Sequence, residues 1–443
     1  MMSRENERIG IVARGAYVPR LRLQRAAIFQ ANAWFAPGLK GLAKGERAIA
    51  NWDEDSITMA VEASRDCLAG RPRDTIGTVM LASTTGPFAD RQNAGIVKEA
   101  LNLRDSIQTF DIGGSQRAGV GALSQALMAA AGVQRDVLVV AAERRLSRPG
   151  SEAEMTDGDA AAAFLIGRSA APLATLLGSH HLSVDFVDHF RAAGEEFDYA
   201  WEARWVREEG HIAIVQRGLN EALSQLGIPG SEIAHFVVPF GARGVPESLA
   251  KAAGISVSAI SDPLTSTVGN TGSAHPLLML SEVLATATLG QKIVLLGFGQ
   301  GVDVLVLKAG DGIAASDRSS FRASRQKTEA NYLKYLAFTG NLKLDRGMRA
   351  ELDHKQPMTA LYRNRKAVFG LVGGRCTATG AIQFPKSEIS VASTDGAVGT
   401  QEDYPLADRP ARVVSFTADN LAYTPSPPCC YGMVEFDGGG RMV

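Results

Sequence analysis

The chain has 443 residues, of which 46 are Lys or Arg and 47 are Asp or Glu, for a net charge of -1. So even a balance supplies no field to hold nucleic acid or an anionic membrane; the opening MMSRENERIG has no apolar signal core, and no run approaches the roughly 18 apolar residues of a bilayer span. Length and ordinary hydrophobicity point to two or three domains with well-buried cores, and the scattered cysteines Cys67, Cys376, Cys429 and Cys430 to reduced thiols in a cytoplasmic protein.

Over the first three hundred residues, short Val/Ile/Leu-rich strands alternate with Ala-rich helices, the pattern of an α/β domain with buried strands. A strand-like run from Thr75 to Ser83 and an amphipathic stretch from Gly95 to Leu101 lead into FDIGGSQRAGVGAL, Phe110 to Leu123, which reads as a strand, a glycine turn and the start of a helix reaching Ala131. The pattern then repeats. GGSQRAGVGALSQALMAAAG followed by RDVLVVAAE has a counterpart in GNTGSAHPLLMLSEVLATATLG followed by QKIVLLGFG. A duplicated unit accounts for this, with residues 1–170 and 171–309 as its two copies. After Lys308 the small, polar and charged residues of 310–331 read as a linker. A helix over YLKYLAFTGNLKLD opens a second module, 332–395, and short strands fill it and the remainder, 396–443.

In their order and separation, these segments resemble the hydroxymethylglutaryl-CoA synthase and ketoacyl synthase III branch of the thiolase superfamily. GIVARGAYVPRLRL and DEDSITMAVEAS match its opening strand, loop and first helix; TDGDAAAAFLIG matches the strand closing the first half; VGNTGSAHPLLML and LLGFGQGVDVLVL match its asparagine and glycine loops. The resemblance implies a five-layered αβαβα fold with the starts of both duplicated helices in one cleft, so that Gln116 faces Asn270. It also implies a homodimer, and an acyl-CoA as substrate with no separate cofactor.

In that family a cysteine at the first helix start takes up the acyl group, and exposed N–H groups and the helix dipole favour its thiolate. Here the matching residue is Gln116, or Ser115 if the register slips by one. An amide cannot ionise, but it donates hydrogen bonds, and ketosynthase-like domains with glutamine in this place decarboxylate acyl thioesters. Two readings of Ser115 and Gln116 stand side by side: polar caps of a helix, or catalytic groups. The family's glutamate corresponds to Thr84 and its histidine to Val237, so both are absent from those positions. Asn270 survives, either as an enolate-assisting amide or as a turn residue. His275, in the first turn after the Asn270 loop and followed by Pro276, is the candidate replacement base, against a structural role. His211 is the weaker candidate for that base, against simply lining a helix face near the expected pantetheine tunnel; His235 belongs to the core, and Asp159, Arg117 and Arg144 are solvated or paired charges.

The second module resembles the zinc ribbon and OB-fold that accompany thiolases and synthases acting on CoA esters. Its four ligand positions hold Cys376, Thr379, Ser390 and Ser393, a set that argues against zinc, and FDGGGRMV reads as a hairpin inside an incomplete barrel. The adjacent Cys429 and Cys430 fit packing better than chemistry. Three functions remain open. The first is an enzyme that forms or cleaves a C–C bond beside a thioester by decarboxylation or aldol chemistry, without an acyl-enzyme. The second is acyl transfer or Claisen condensation with Ser115 as nucleophile and His275 as its base. The third is a non-catalytic scaffold or acyl-CoA-binding partner of a thiolase-like or OB-fold protein.

Overall fold

The structure is a computed structural model describing residues 7–132, 135–315, 326–345, 357–392 and 397–443. In chain order the first half contributes β1 (Arg8–Tyr17), β2 (Leu21–Gln24), α1 (Arg25–Asn32), β3 (Glu46–Ile49), α2 (Ser56–Cys67), β4 (Ile76–Ala82), α3 (Asn93–Ala100), β5 (Gln108–Ile112), α4 (Ala118–Gly132), β6 (Asp136–Glu143), α5 (Glu152–Thr156) and β7 (Ala160–Ser169). The second half adds β8 (Ala174–Ser183), the two-residue strands β9 (His189–Phe190) and β10 (Tyr199–Ala200), α6 (Ala203–Trp205), a π-helical segment Val206–Ile214 and α7 (Val215–Leu226). It closes with β11 (Ile233–Val237), α8 (Val245–Ala252), α9 (His275–Thr286), β12 (Lys292–Phe298) and β13 (Gly301–Ala309).

The repeat seen in the sequence is a repeat of strand pairing. β4 runs parallel to β6, which pairs antiparallel with β7, which pairs antiparallel with β1. Likewise β11 runs parallel to β12, which pairs antiparallel with β13, which pairs antiparallel with β8. The place held by β5 beside β4 is reduced in the second half to one parallel bridge between Phe236 and Ile260. A single β1–β8 pairing, Ile11 with Ala174, joins the halves into one nine-stranded mixed sheet in the order β11-β12-β13-β8-β1-β7-β6-β4-β5.

Strands buried on both faces read as continuous apolar runs, and alternation along them sorts their side chains into layers. Ile293 and Leu295 of β12 enter the core that also holds Val120, Leu123 and Leu127 of α4 and Leu277 and Leu280 of α9. Val294 and Leu296, one residue along, join Leu219 and Leu223 of α7 and Leu249 of α8. Both α4 and α9 touch strands of the two halves, so they form the middle layer, while α2 packs on β1, β6 and β7 and α7 on β8 and β13. The approach is close at Gly119: a Cβ there would stand 2.1 Å from the Ser273 carbonyl oxygen, so only glycine lets α4 reach the loop that carries Asn270.

The chain divides into two compact units, residues 1–95 with 105–342 and residues 96–104 with 343–443. Sequence alone starts the second module at Tyr332. The structure assigns that helix, α10 (Tyr332–Phe338), to the first unit, preceded by β14 (Lys327–Glu329), which pairs parallel with β2. The cause is burial: Tyr332, Tyr335 and Phe338 pack with Leu21, Leu23, Ile28 and Met155, and the Tyr332 hydroxyl donates to Glu154 at 2.9 Å. The stretch expected as a linker therefore carries a strand, although its residues 316–325 lie outside the described ones.

The second unit contains α11 (Met358–Gly370) and two three-stranded antiparallel sheets. One is β15 (Val372–Cys376) between β16 (Ile382–Gln383) and β17 (Gln401–Pro405); the other is β19 (Cys429–Phe436) between β18 (Ala411–Asp419) and β20 (Arg441–Met442). Of the four ribbon positions, three come together. The Thr379 N–H donates to the Cys376 sulfur at 3.4 Å, the Thr379 and Ser390 hydroxyls are 3.3 Å apart, and the Thr400 hydroxyl is 3.1 Å from the sulfur; Ser393 lies outside the described residues. One sulfur among hydroxyls is not the set of four N or S donors that structural zinc takes, so these residues do not fit the metal.

Candidate active site

The turn before α4, the loop before α9, the π-helical segment and the β9–β10 excursion converge on a cavity of about 280 Å³ lined by Gln116, Asp188, His189, His211, Asn270 and Phe298, among others. Gln116 and His189 also line a neighbouring cavity of about 400 Å³ that reaches Thr84, Asp111 and Arg191. The structure thus brings Gln116 and Asn270 into one cleft.

Hydrogen bonding sets how each amide is turned. Gln116 satisfies its neighbours with its oxygen toward Arg145 Nη1 at 2.7 Å, Arg145 Nη2 at 3.3 Å and His189 Nε2 at 2.9 Å; the reverse orientation would set N–H against N–H. Its NH2 group is therefore left for the cavity. Asn270 is turned in the same sense, its oxygen accepting from the Gly272 N–H at 2.9 Å. The Asn270 backbone is clamped between Thr156, whose carbonyl accepts its N–H at 2.7 Å, and Gly158, which donates to its carbonyl at 2.9 Å. Both amides line one cleft with their oxygens bonded to neighbours, which leaves their NH2 groups as the donors available to a developing oxyanion.

Behind Gln116 lies a buried ionic group. Arg145 is 7% exposed and reaches Asp198 at 3.1 Å and Asp157 at 3.7 Å. Burial alone would lower its pKa, but Asp157, Asp198, Glu143 and Asp159 together raise it. Glu143, at the end of β6, is fully buried and accepts from the Thr84 N–H at 2.8 Å, the Thr84 hydroxyl at 2.9 Å and the Ser273 hydroxyl at 2.5 Å. A carboxylate thus occupies the surroundings of Thr84 after all, delivered by a different strand, and it ties the Thr84 turn to the Asn270 loop. Gly272 completes the fit, since a Cβ there would lie 2.7 Å from Arg145 Nη1.

Two residues that sequence reasoning left out or ranked low complete the cleft. His189 Nε2 meets the Gln116 amide at 2.9 Å, and its Nδ1 lies 3.0 Å from Asp188 Oδ2. Burial works against the charge of Asp188, yet the bond to His189 and its charge outweigh this and hold the carboxyl below the ordinary carboxylate range. His211 is supplied by the π-helical segment, whose wide turns recur at functional sites. Its ring stacks on Phe240 at 4.6 Å and meets Phe298 edge-on at 4.9 Å, and burial lowers its pKa to about 4. Only the adjacent Asp-His pair, in the aromatic-rich stretch Phe186 to Trp205, could have drawn attention to His189.

Ser115 and His275 do not meet. The Ser115 hydroxyl donates to the Gly299 carbonyl at 3.0 Å and accepts from the Arg117 N–H at 3.3 Å, a capping arrangement. His275 is 1% exposed, does not line the cleft, and has both nitrogens engaged: Nε2 donates to the Pro263 carbonyl at 3.0 Å and Nδ1 accepts from the Thr271 N–H at 3.3 Å. The expectation that His275 serves as a base is therefore corrected, because burial in the α9 core fixes it as a neutral structural link. That burial lowers its pKa to about 4. In the unfolded chain the ring gains a proton near pH 6.5, so the stability contributed by neutral His275 is present above that pH and is lost as pH falls toward 4, by about 3 kcal/mol in all. Urea titrations between pH 7 and 4 should show a steep fall for the parent protein and a shallower one for His275→Gln.

Among the remaining candidates, Arg117 pairs with Asp303 at 3.3 Å, Arg144 donates to the Phe338 carbonyl at 2.9 Å, and Asp159 is buried with bonds from the Ala50 and Arg145 N–H groups at 2.7 Å. His235 bonds Gln291 at 2.9 Å. No helix among the described residues is long and apolar enough to cross a membrane.

Layering, duplicated topology and a cleft between two helix starts define a thiolase-like fold. The structure is similar to an HMG-CoA synthase complexed with CoA, with a TM-score of 0.64 and 19% identity, covering 79% of this chain and 95% of that one. Residues 223–307 match the family described as 3-oxoacyl-[acyl-carrier-protein] synthase III C terminal. In sequence the chain is 30% identical over 298 residues to the hydroxymethylglutaryl-CoA synthase of Aeropyrum pernix, covering 66% of this chain and 82% of that protein. It is 28% identical over 346 residues to that of Archaeoglobus fulgidus, covering 76% and 99%. The chain belongs to the hydroxymethylglutaryl-CoA synthase family, as an acyl-CoA enzyme of the thiolase superfamily.

Proposed function

We propose that this protein makes or breaks a carbon–carbon bond beside the thioester of an acyl-CoA, through an enolate and without a covalent acyl-enzyme. One observation carries the reading: Gln116, at the position where the resemblance implies a cysteine, and Asn270 line one cleft with their oxygens held by Arg145 and the Gly272 N–H, which leaves their NH2 groups to donate. A thioester oxygen accepting from both would gather charge as the enolate forms, where fixed donors act most strongly. Aldol-type cleavage, its reverse, and decarboxylation all pass through this enolate. Acyl transfer through Ser115 is disfavoured, because its hydroxyl is given to the Gly299 carbonyl and bonds no imidazole or carboxylate among the described residues. A homodimer in the cytoplasm, and a second unit related to a zinc ribbon and OB-fold but held by hydrogen bonds, belong to the same reading.

The test is incubation with acetyl-CoA and propionyl-CoA in D2O. The expected result is deuterium at the carbon next to the thioester and an unchanged intact protein mass. A stable acyl adduct on the protein, or no exchange with either thioester, would overturn the proposal.

A further inference from the structure

We infer that His189 is the acid–base residue of this reaction, carrying the proton to and from the carbon next to the thioester, with Asp188 as its positioning residue. The inference rests on the enolate reading above. His189 Nε2 lies 2.9 Å from the amide of Gln116. If the thioester oxygen sits on the Gln116 NH2, the α-carbon is two bonds from that oxygen, in the part of the cleft that His189 lines. His189 is also the side chain shared with Gln116 between the two neighbouring cavities, so a substrate spanning them passes its ring.

The surroundings suit proton transfer. Asp188 fixes the ring through Nδ1 at 3.0 Å, and Nε2, bonded to the Gln116 amide, is the position that exchanges a proton once substrate enters. The other imidazole in the cleft, His211, is packed between Phe240 and Phe298, and its Nδ1 has no hydrogen-bond partner among the described residues. His275 is 1% exposed and does not line the cleft.

The step balances without oxidant or reductant. When an enolate has formed, the proton on His189 Nε2 moves to the α-carbon, the carbon–carbon double-bond pair becomes the new C–H bond, and the thioester carbonyl re-forms as Gln116 and Asn270 release its charge. In reverse, neutral Nε2 takes the α-proton and the C–H pair moves into the enolate.

The experiment is exchange of acetyl-CoA in D2O catalysed by the parent protein, His189→Gly and Asp188→Asn, with folding checked by circular dichroism. In His189→Gly, exchange should fall by about 100-fold or more and recover in part when imidazole is added to the solution, a rescue that a purely structural role would not give. In Asp188→Asn it should fall by a smaller factor. Exchange undiminished in His189→Gly, or lost there and not restored by imidazole, overturns the assignment. The enolate reading fails separately, if the parent protein itself exchanges nothing.

Discussion

Gln116→Glu is expected to remain folded and at least as stable as the parent protein while losing about 10²–10³-fold in α-exchange and turnover. The substitution separates the two roles of the side chain. A carboxylate has the same shape and accepts from Arg145 and His189 even better than an amide oxygen, because hydrogen bonds between ions are the stronger kind. As an anchor for those neighbours, glutamate is therefore an improvement. In the cleft, however, it replaces the NH2 donor with a second anionic oxygen, which repels an enolate. Thermal unfolding and deuterium exchange measured on one preparation decide the matter. Full exchange in Gln116→Glu would mean that the residue only caps and braces α4.

Arg145→Met should cost about 3–5 kcal/mol of stability, the scale for breaking a buried ion pair by removing one partner. Arg145, Asp157, Asp159 and Glu143 are each no more than 7% exposed, and Asp198 bonds the same guanidinium at 3.1 Å. Without the cation these carboxylates keep the desolvation cost of burial and lose its compensation. Arg145→Lys keeps the charge but not the fork that holds the Gln116 oxygen through two nitrogens, so it should recover much of the stability and little of the activity. Guanidinium unfolding of both variants gives the comparison. A loss within 1 kcal/mol for Arg145→Met would show that water reaches the group in solution.

The halves of the active site that could be read from the sequence are those built on local signals. Gln116 and Asn270 sit in glycine-flanked turns at the starts of two helices of similar length, and a duplicated strand–turn–helix pattern announces both. The catalytic partners proposed for them carry no such signal. His189 is 73 positions from Gln116, in a stretch with neither helical nor strand periodicity, and nothing local says that it will meet an amide. Glu143 lies 59 positions from Thr84, so the carboxylate that holds the Thr84 turn comes from the end of a buried strand where sequence shows only VVAAE. His275 is the complementary case: a histidine before proline at a helix start looks exposed, whereas the residues from His275 to Ser281 are all buried. The second module reads as starting at Tyr332 because the tyrosines of α10 look like the start of a new core, whereas they complete an old one.

What the residues determine in order along the chain is the repeated architecture and the polar residues at its two helix starts, since strand burial, helix length and glycine turns depend on near neighbours. The direction each amide faces, the charge group behind Gln116 and the identity of the imidazole beside it were decided only by folding. Those properties arise from side chains far apart in the chain that become costly unless paired once water is removed, and which of them pair depends on how the two halves close over the cleft.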